Sequence, residues 1–342
     1  MSVSKRLDEI IKGIVSMYIH DREPVASSAL QNYLDMALSS ATLRNEMAYL
    51  TKLGFLNQPH VSAGRVPTNK AYRYYIENMD HACKLSQKEK DYIKSKLDML
   101  DHDSQRFLQG AAELFSDMFK VATVIAPPFD KDLYFANFTI LNTGRYEIVL
   151  IGVTGKGDVH TRVIRLSQEP DNTDIAQLTA LLNSRLCFVS WQDVDKHYFS
   201  CLSKELAKEN AAYSQVIKGC LSLIESANTQ TMHVRGEHYL LKTNDFEYNI
   251  AEVLKLLADK DILKSIITPK LDGIGVVFGD EMPFKNIDNL CFISKKYYVG
   301  SAVSGTFCVV CPTTVDYEKI FAYLQYFTQL LSQIITGTER KT

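Results

Sequence analysis

The stretch Ser39–Thr68, SSATLRNEMAYLTKLGFLNQPHVSAGRVPT, decides how the first part of this chain folds. Its first half places Leu43, Met47 and Leu50 at the spacing of one buried helical face, and either Ser39 or Ser40 can accept a bond from the free amides of a first turn. Gly54 stops that helix. "FLNQP", a Gly-containing loop "HVSAG" and "RVP" then read as two short strands joined by a turn. Opposite the apolar seam lie Ala41, Arg44, Asn45, Ala48 and Lys52, so the outward face mixes small residues with hydrogen-bonding ones.

Working outward, Leu7, Ile10, Ile11, Ile14, Val15 and Tyr18 predict a first helix that ends before Pro24. A second short helix, capped by Ser27 or Ser28, buries Leu30 and Leu34. Thr68 can cap a fourth helix that buries Tyr72, Tyr75, Ile76 and Met79. Three helices followed by a Gly-tipped hairpin predict an N-terminal winged helix-turn-helix over residues 1–80.

The chemistry of the outward residues suits duplex DNA. A chain of 342 residues with net charge −2 is not a dedicated polycation, yet Ser39 to Tyr75 carries five bases against one acid, Glu46. Arg44 and Asn45 can each make paired hydrogen bonds to a guanine or adenine edge in the major groove. Ala41 and Ala48 allow close approach, and the first amides near Ser39, Ser40 and Thr42 can bond a phosphate oxygen. Lys52 is expected among the DNA-binding residues of that outward face, and Lys70 and Arg73 beside the backbone. On the hairpin, His60, Ser62, Gly64 and Arg65 are expected at the wing, with Arg65 reaching a phosphate or the minor groove. An ordinary three-helix domain with a solvated basic face is the competing explanation. The ordered set of capped helix and hairpin outweighs it.

Two amphipathic helices between Leu85 and Val121 read as a connector, so 81–130 is taken as connector helices and the first part of a further domain. "LYFANFTIL", "RYEIVLIGV" and "DVHTRVIRL" are joined by turn sequences and predict an antiparallel three-stranded meander, covered by helices from about Asp174 to Ile224. That segment, 131–224, is expected to be an insertion. In 225–342, helices near Ile250 and Ile262 lead to the strands "GIGVVFG", "NLCFIS" and "GTFCVVC". A last helix follows, whose seam Ile320, Leu324, Phe327, Leu331, Ile334 is either core or partner-facing. The fold class is α+β, in several domains.

The remaining features exclude more than they suggest. Seven scattered cysteines argue for reduced thiols instead of a disulfide framework. No apolar run is long enough to span a bilayer, and "MSVSKRLDEIIKGIV" has acids and an amphipathic period in place of a signal-peptide core. A soluble, cytoplasmic protein is expected. Cys308 and Cys311 have metal or redox spacing but no second pair, and the histidines fit no zinc motif, so no metal, cofactor or catalytic residue is assigned.

The run Leu38–Ile76, LSSATLRNEMAYLTKLGFLNQPHVSAGRVPTNKAYRYYI, with MYIHDREPVASSAL before it, closely resembles the HrcA family of bacterial heat-inducible transcription repressors. "VRGEHYLLKTNDF" and the segment Val276–Ile320 resemble its C-terminal pattern, where the family's Gly-Pro-Thr-Arg-Met-Asp-Tyr stands here as CPTTVDY, Cys311–Tyr317. The resemblance implies a homodimer with a winged-helix domain, a GAF-like α/β domain and an inserted dimerisation domain. It further implies an inverted-repeat operator upstream of chaperone operons and promotion of the active form by the GroEL chaperonin. An alternative keeps the DNA-binding domain and makes the GAF-like domain a small-molecule sensor. An enzyme with an accessory winged helix is disfavoured, because no acid and base, metal set or activated nucleophile is paired in the sequence.

Overall fold

Three helices and a hairpin open the chain in the computed structural model. It describes residues 4–34, 38–60, 63–79, 84–100, 104–126, 134–155, 157–189, 196–206, 211–228, 232–246, 249–267, 273–299 and 303–337. Helix α1 (Lys5–Asp21) starts where the Ser4 hydroxyl accepts from the Leu7 amide, and it ends at Arg22, whose φ of 57° turns the chain sharply. Its face of Ile10, Ile11, Ile14 and Val15 is fully buried. Helix α2 (Ser27–Tyr33) buries Leu30. The expected serine cap is absent there: Ala26 holds the N-cap position without a side-chain bond, and the Ser27 hydroxyl pairs with that of Ser40 instead.

Helix α3 (Ser40–Lys52) is capped by Ser39, whose Oγ accepts from the Thr42 amide at 3.1 Å. Leu43, Met47 and Leu50 are its buried residues. Gly54 then adopts φ 79°, a left-handed conformation that costs a glycine little, and the helix stops. Strands β1 (Leu56–Asn57) and β2 (Val66–Pro67) pair antiparallel, and Val25 bridges Arg65 to extend the hairpin toward α2. Helix α4 (Asn69–Asn78) follows Thr68. The Thr68 hydroxyl does not cap it, because it donates back to the Gly54 and Phe55 carbonyls and so ties the hairpin to the end of α3.

Helices α5 (Gln87–Asp98) and α6 (Ser104–Phe119) lead into β3 (Ala122–Ala126), a strand with every residue buried. Sequence patterning did not single out β3, since Ala-Thr-Val-Ile-Ala, buried at every position, shows no apolar alternation. The chain divides here into two units, one formed by 1–127 with 232–342 and the other by 128–231.

The second unit contains β4 (Phe135–Gly144), β5 (Glu147–Thr154) and β6 (Val159–Arg165), followed by α7 (Asn172–Leu186), α8 (Lys196–Leu206) and α9 (Ala211–Asn228). The strands form the expected antiparallel meander in the order β4-β5-β6. One sheet face, with Phe138, Ile148, Leu150 and Ile164, packs on Leu178, Leu182 and Ile217 of the helices. On the other face Leu141, Val149 and Val163 stand side by side in register, and Val153 pairs with Val159. Leu141 is about half exposed, and Val159 and Val163 more so.

In the first unit the chain resumes with β7 (His233–Arg235), α10 (Glu237–Leu240), α11 (Ile250–Ala258) and α12 (Lys260–Ile267). Strands β8 (Gly275–Phe278), β9 (Leu290–Val299) and β10 (Val303–Pro312) follow, then α13 (Tyr317–Thr336). The five-stranded antiparallel sheet has the order β7-β3-β10-β9-β8. The strands on either side of the 128–231 segment, β3 and β7, are direct neighbours with Ile125 opposite His233. A segment can be accommodated there because its two ends meet at adjacent strands.

One sheet face joins α6, α13 and the N-terminal helices in a common apolar core, and the other packs with α11 and α12. The seam of α13 is core: Ile320, Leu324, Phe327 and Leu331 are all buried, against β9 and α5. Cys308 and Cys311 fall on opposite faces of β10, as an odd spacing on a strand dictates, and cannot share an ion. Burial pushes both thiols up, which keeps them protonated.

Candidate nucleic-acid interface

The outward face of α3 carries Ala41, Arg44, Asn45, Tyr49 and Lys52, all exposed, with Ala48 half-buried between them. No carboxylate stands on it. Glu46, the one acid of the helix, turns sideways into an ion pair with Arg6 of α1. Among the described residues, no hydrogen bond or ion pair engages the side chains of Arg44, Asn45 or Lys52.

Arg44 also lines a cleft of about 620 Å³ bounded by α2, α3 and the hairpin, together with Ser27, Ser28, Ser40, Gln58 and Arg65. Here the hairpin comes close to the residues before α2. A Cβ on Gly64 would sit 2.4 Å from the Val25 carbonyl oxygen, so this glycine is required by contact, not by a turn. Val25 and Arg65 exchange both backbone bonds at 2.9 Å. The Arg65 guanidinium lies back over α3, where Nε donates to Thr51 Oγ1 at 3.1 Å. It therefore lines the cleft instead of projecting from the hairpin tip.

The other expected residues separate into groups. Ser39 and Thr42 bond each other at the start of α3, their hydroxyls 2.9 Å apart, and Ser40 reaches back to Ser27. His60 is exposed at the hairpin turn, its carbonyl accepting from the Ala63 amide. Ser62 lies outside the described residues. Lys70 donates to the Leu53 carbonyl at 2.8 Å and covers the Phe55 ring. Arg73 turns toward the large sheet: it donates to the Val276 carbonyl, pairs with Glu281 and lies over the Phe278 ring. The structure does not bring Arg73 to the face of α3.

These contacts belong to a seat that fixes the N-terminal helices on the sheet. Arg22 pairs with Asp245 and donates to the Thr314 carbonyl, while the Thr314 hydroxyl bonds Asp245 at 3.3 Å. The loop CPTTVDY thus meets the end of α1. Asn69 donates to the Asp288 carbonyl at 2.8 Å and Tyr75 to Glu318 at 3.1 Å. Tyr72 packs between Phe278 and Tyr317, with ring centroids 6.5 and 6.0 Å away. Burial, first among the causes, drives the Tyr72 and Tyr317 hydroxyls up and carries that of Tyr75 to about 12, so these groups stay neutral.

Sequence reasoning missed Tyr49, Gln58 and the Arg22–Asp245 pair. Tyr49 has a local signal, four residues beyond Asn45 on the same helix side. The partners of Arg22 and Arg73 lie more than two hundred residues away and leave none.

Known proteins agree with this architecture. Residues 105–321 match the family model described as "HrcA protein C terminal domain". The heat-inducible transcription repressor HrcA of Lactobacillus acidophilus is 29% identical over 97% of this chain and 97% of its own. That of Brevibacillus brevis is 28% identical over 99% and 100%. A solved crystal structure described as a hypothetical protein aligns over 99% of this chain and 100% of its own, with a TM-score of 0.63 and 22% identity, and so shares the fold. With the family model spanning well over half of its length, the chain belongs to the HrcA family, a non-enzymatic family of heat-inducible transcription repressors.

Proposed function

We propose that the protein is a dimeric repressor that binds an inverted-repeat operator, each copy reading one half-site with α3 in the major groove. In this reading α1–α3 with β1 and β2 form a winged helix-turn-helix. The observation that carries it is the carboxylate-free outer face of α3, where Arg44 and Asn45 are exposed and unengaged. Those two side chains supply paired donors and acceptors for guanine and adenine edges. Ala41 and Ala48 admit the helix, and the amides after Ser39 meet a phosphate. Arg65 and His60 steady the hairpin against the backbone. Ser62, which the sequence reading also assigns to the wing, joins that proposal.

Dimerisation fits the second unit, which we take as the inserted dimerisation domain expected at 131–224. Its outer sheet face exposes Leu141, Val159 and Val163 beside Val149, a patch of the kind that marks an association surface. A closed two-fold dimer matches a palindrome, because each copy repeats the other's contacts. Val163→Arg is expected to yield monomers in sedimentation analysis and to weaken operator binding. The five-stranded sheet with helices on both faces is taken as the GAF-like domain.

Promotion by the GroEL chaperonin follows from the family resemblance and from this apolar face, which would be open before two copies meet. Chaperonin supply would then set how much active dimer forms, and heat stress would divert that supply to other clients. Equal recovery of operator binding after refolding with and without chaperonin and ATP would count against it.

The test of the main reading is fluorescence anisotropy on an inverted-repeat duplex from a chaperone promoter against a scrambled duplex, over a salt series. A strong preference for the repeat that persists at physiological salt is expected. Equal affinity for both duplexes would overturn it.

A second reading makes the sheet domain a small-molecule sensor. A cleft of about 390 Å³ between α4, β8, β9 and α13, lined by Glu77, Lys295, Glu318 and Gln325, favours it. A reproducible rise in melting temperature with one metabolite, together with a shift in operator affinity, is what it requires.

A further inference from the structure

Tyr49 is an exposed aromatic on α3, 48% accessible, and the fold does not use its ring. Its side chain forms no hydrogen bond and no ring contact among the described residues. On an exposed helix surface a tyrosine is a poorer helix former than lysine, glutamate or alanine, so propensity does not account for it. A lone surface aromatic by itself would mean nothing. Its position gives it meaning.

At about 100° per residue, Ala41, Ala48 and Lys52 run along the centre line of the outward face. Arg44 stands roughly 60° to one side and Tyr49 roughly 80° to the other, the side on which Asn45 lies. Arg44 and Tyr49 therefore flank the face. Four residues beyond Asn45, Tyr49 is also about 6 Å further along the helix axis, close to two base-pair steps of duplex. Asn45 and Tyr49 would meet base pairs about two steps apart, the first through hydrogen bonds and the second through a ring edge. The face has no other apolar side chain larger than alanine.

The C5-methyl of thymine is the one apolar group displayed in the major groove, and it distinguishes thymine from every other base there. We propose that Tyr49 is a specificity-determining residue whose ring covers a thymine methyl in each half-site, about two steps from the base pair read by Asn45. This rests on the DNA-reading function proposed above and adds to it a base preference that Arg44 and Asn45 do not supply.

The experiment is selection from a pool of random-sequence duplexes by the full-length wild type, Tyr49→Ala and Tyr49→Phe. The duplex that the wild type enriches is then remade with deoxyuridine in place of each thymine in turn. Wild type is expected to enrich an inverted repeat with an invariant thymine at one position per half-site. Tyr49→Ala should enrich the same repeat with that position relaxed, and Tyr49→Phe should keep it. Removal of that methyl should weaken the wild type about 4-fold per half-site, the value of one buried carbon, and leave Tyr49→Ala unchanged.

An identical consensus from Tyr49→Ala would overturn the inference while leaving the repressor reading intact. So would Tyr49→Phe behaving like Tyr49→Ala, since the hydroxyl, bonded to a phosphate, would then be the contact. A wild-type pool that enriches no sequence would overturn the DNA-reading function itself, and the inference with it.

Discussion

Helices α3 and α4 lie in the same N-terminal module, and both carry cations, but they use them differently. On α3, Arg44 and Lys52 are exposed and unengaged. On α4, Lys70 is bonded to the Leu53 carbonyl, and Arg73 is held by Val276, Glu281 and the ring of Phe278. The five-to-one excess of bases over Ser39–Tyr75 therefore overstates the charge free to meet an outside partner. Part of it fastens the module to the sheet, and α4 is built as a seat, with Tyr72 between two aromatic rings and Asn69 and Tyr75 bonded to the sheet side.

The comparison can be broken by mutation. Arg44→Ala and Asn45→Ala should each cost about 1 to 3 kcal/mol on an inverted-repeat duplex and far less on a scrambled one. Parallel losses on both duplexes, measured by anisotropy, would remove α3 as the reader. Arg65→Ala should weaken binding to both duplexes alike and flatten the salt slope by about one unit. It should also lower the melting temperature slightly, because the guanidinium also holds Thr51 and the hairpin.

Arg73→Ala should leave the salt slope unchanged, since its charge is already paired. Glu281→Ala is the complement: with its partner gone, Arg73 keeps its contacts to Val276 and Phe278 but its charge is no longer neutralised, and binding to random duplex should rise modestly. The pair is more than one-third exposed on both sides, so either change should cost no more than about 1 kcal/mol of stability in denaturant unfolding. A loss of operator binding in Arg73→Ala as large as that of Arg44→Ala would erase the distinction between the two helices. The smallest effect belongs to Lys70→Ala, which gives up an exposed bond to Leu53 and a cation–π contact. It should stay within about 1 kcal/mol.

Elements with a period were legible in the sequence. The seam of α3, the face of α1 and the three strands of the meander all repeat a buried residue at a helical or strand interval. Strand β3 was not legible, although it lies between β7 and β10 inside the large sheet, because burial on both faces removes the alternation. Strand β7 has three residues, too few to show a pattern. The hydroxyls of Ser27 and Thr68 were expected to cap helices, and each found another partner across the module, Ser40 in one case and the end of α3 in the other. At the interface, spacing identified the outward face of α3. It could not tell that Arg65 folds back to Thr51 or that Arg73 faces the sheet.

By itself the sequence determined which segments repeat a buried residue at a helical or strand interval, which side of each is apolar, where the chain must turn at Gly54, and the family it resembles. Each of these is a local property, carried by residues within a turn or two of one another. The tertiary structure alone decided whether the seam of α13 is core or surface and which cations are spent. Those outcomes depend on partners such as Asp245 and Glu281 that meet Arg22 and Arg73 across more than two hundred residues of chain. No local pattern encodes such a meeting, since it results from the packing of the whole unit.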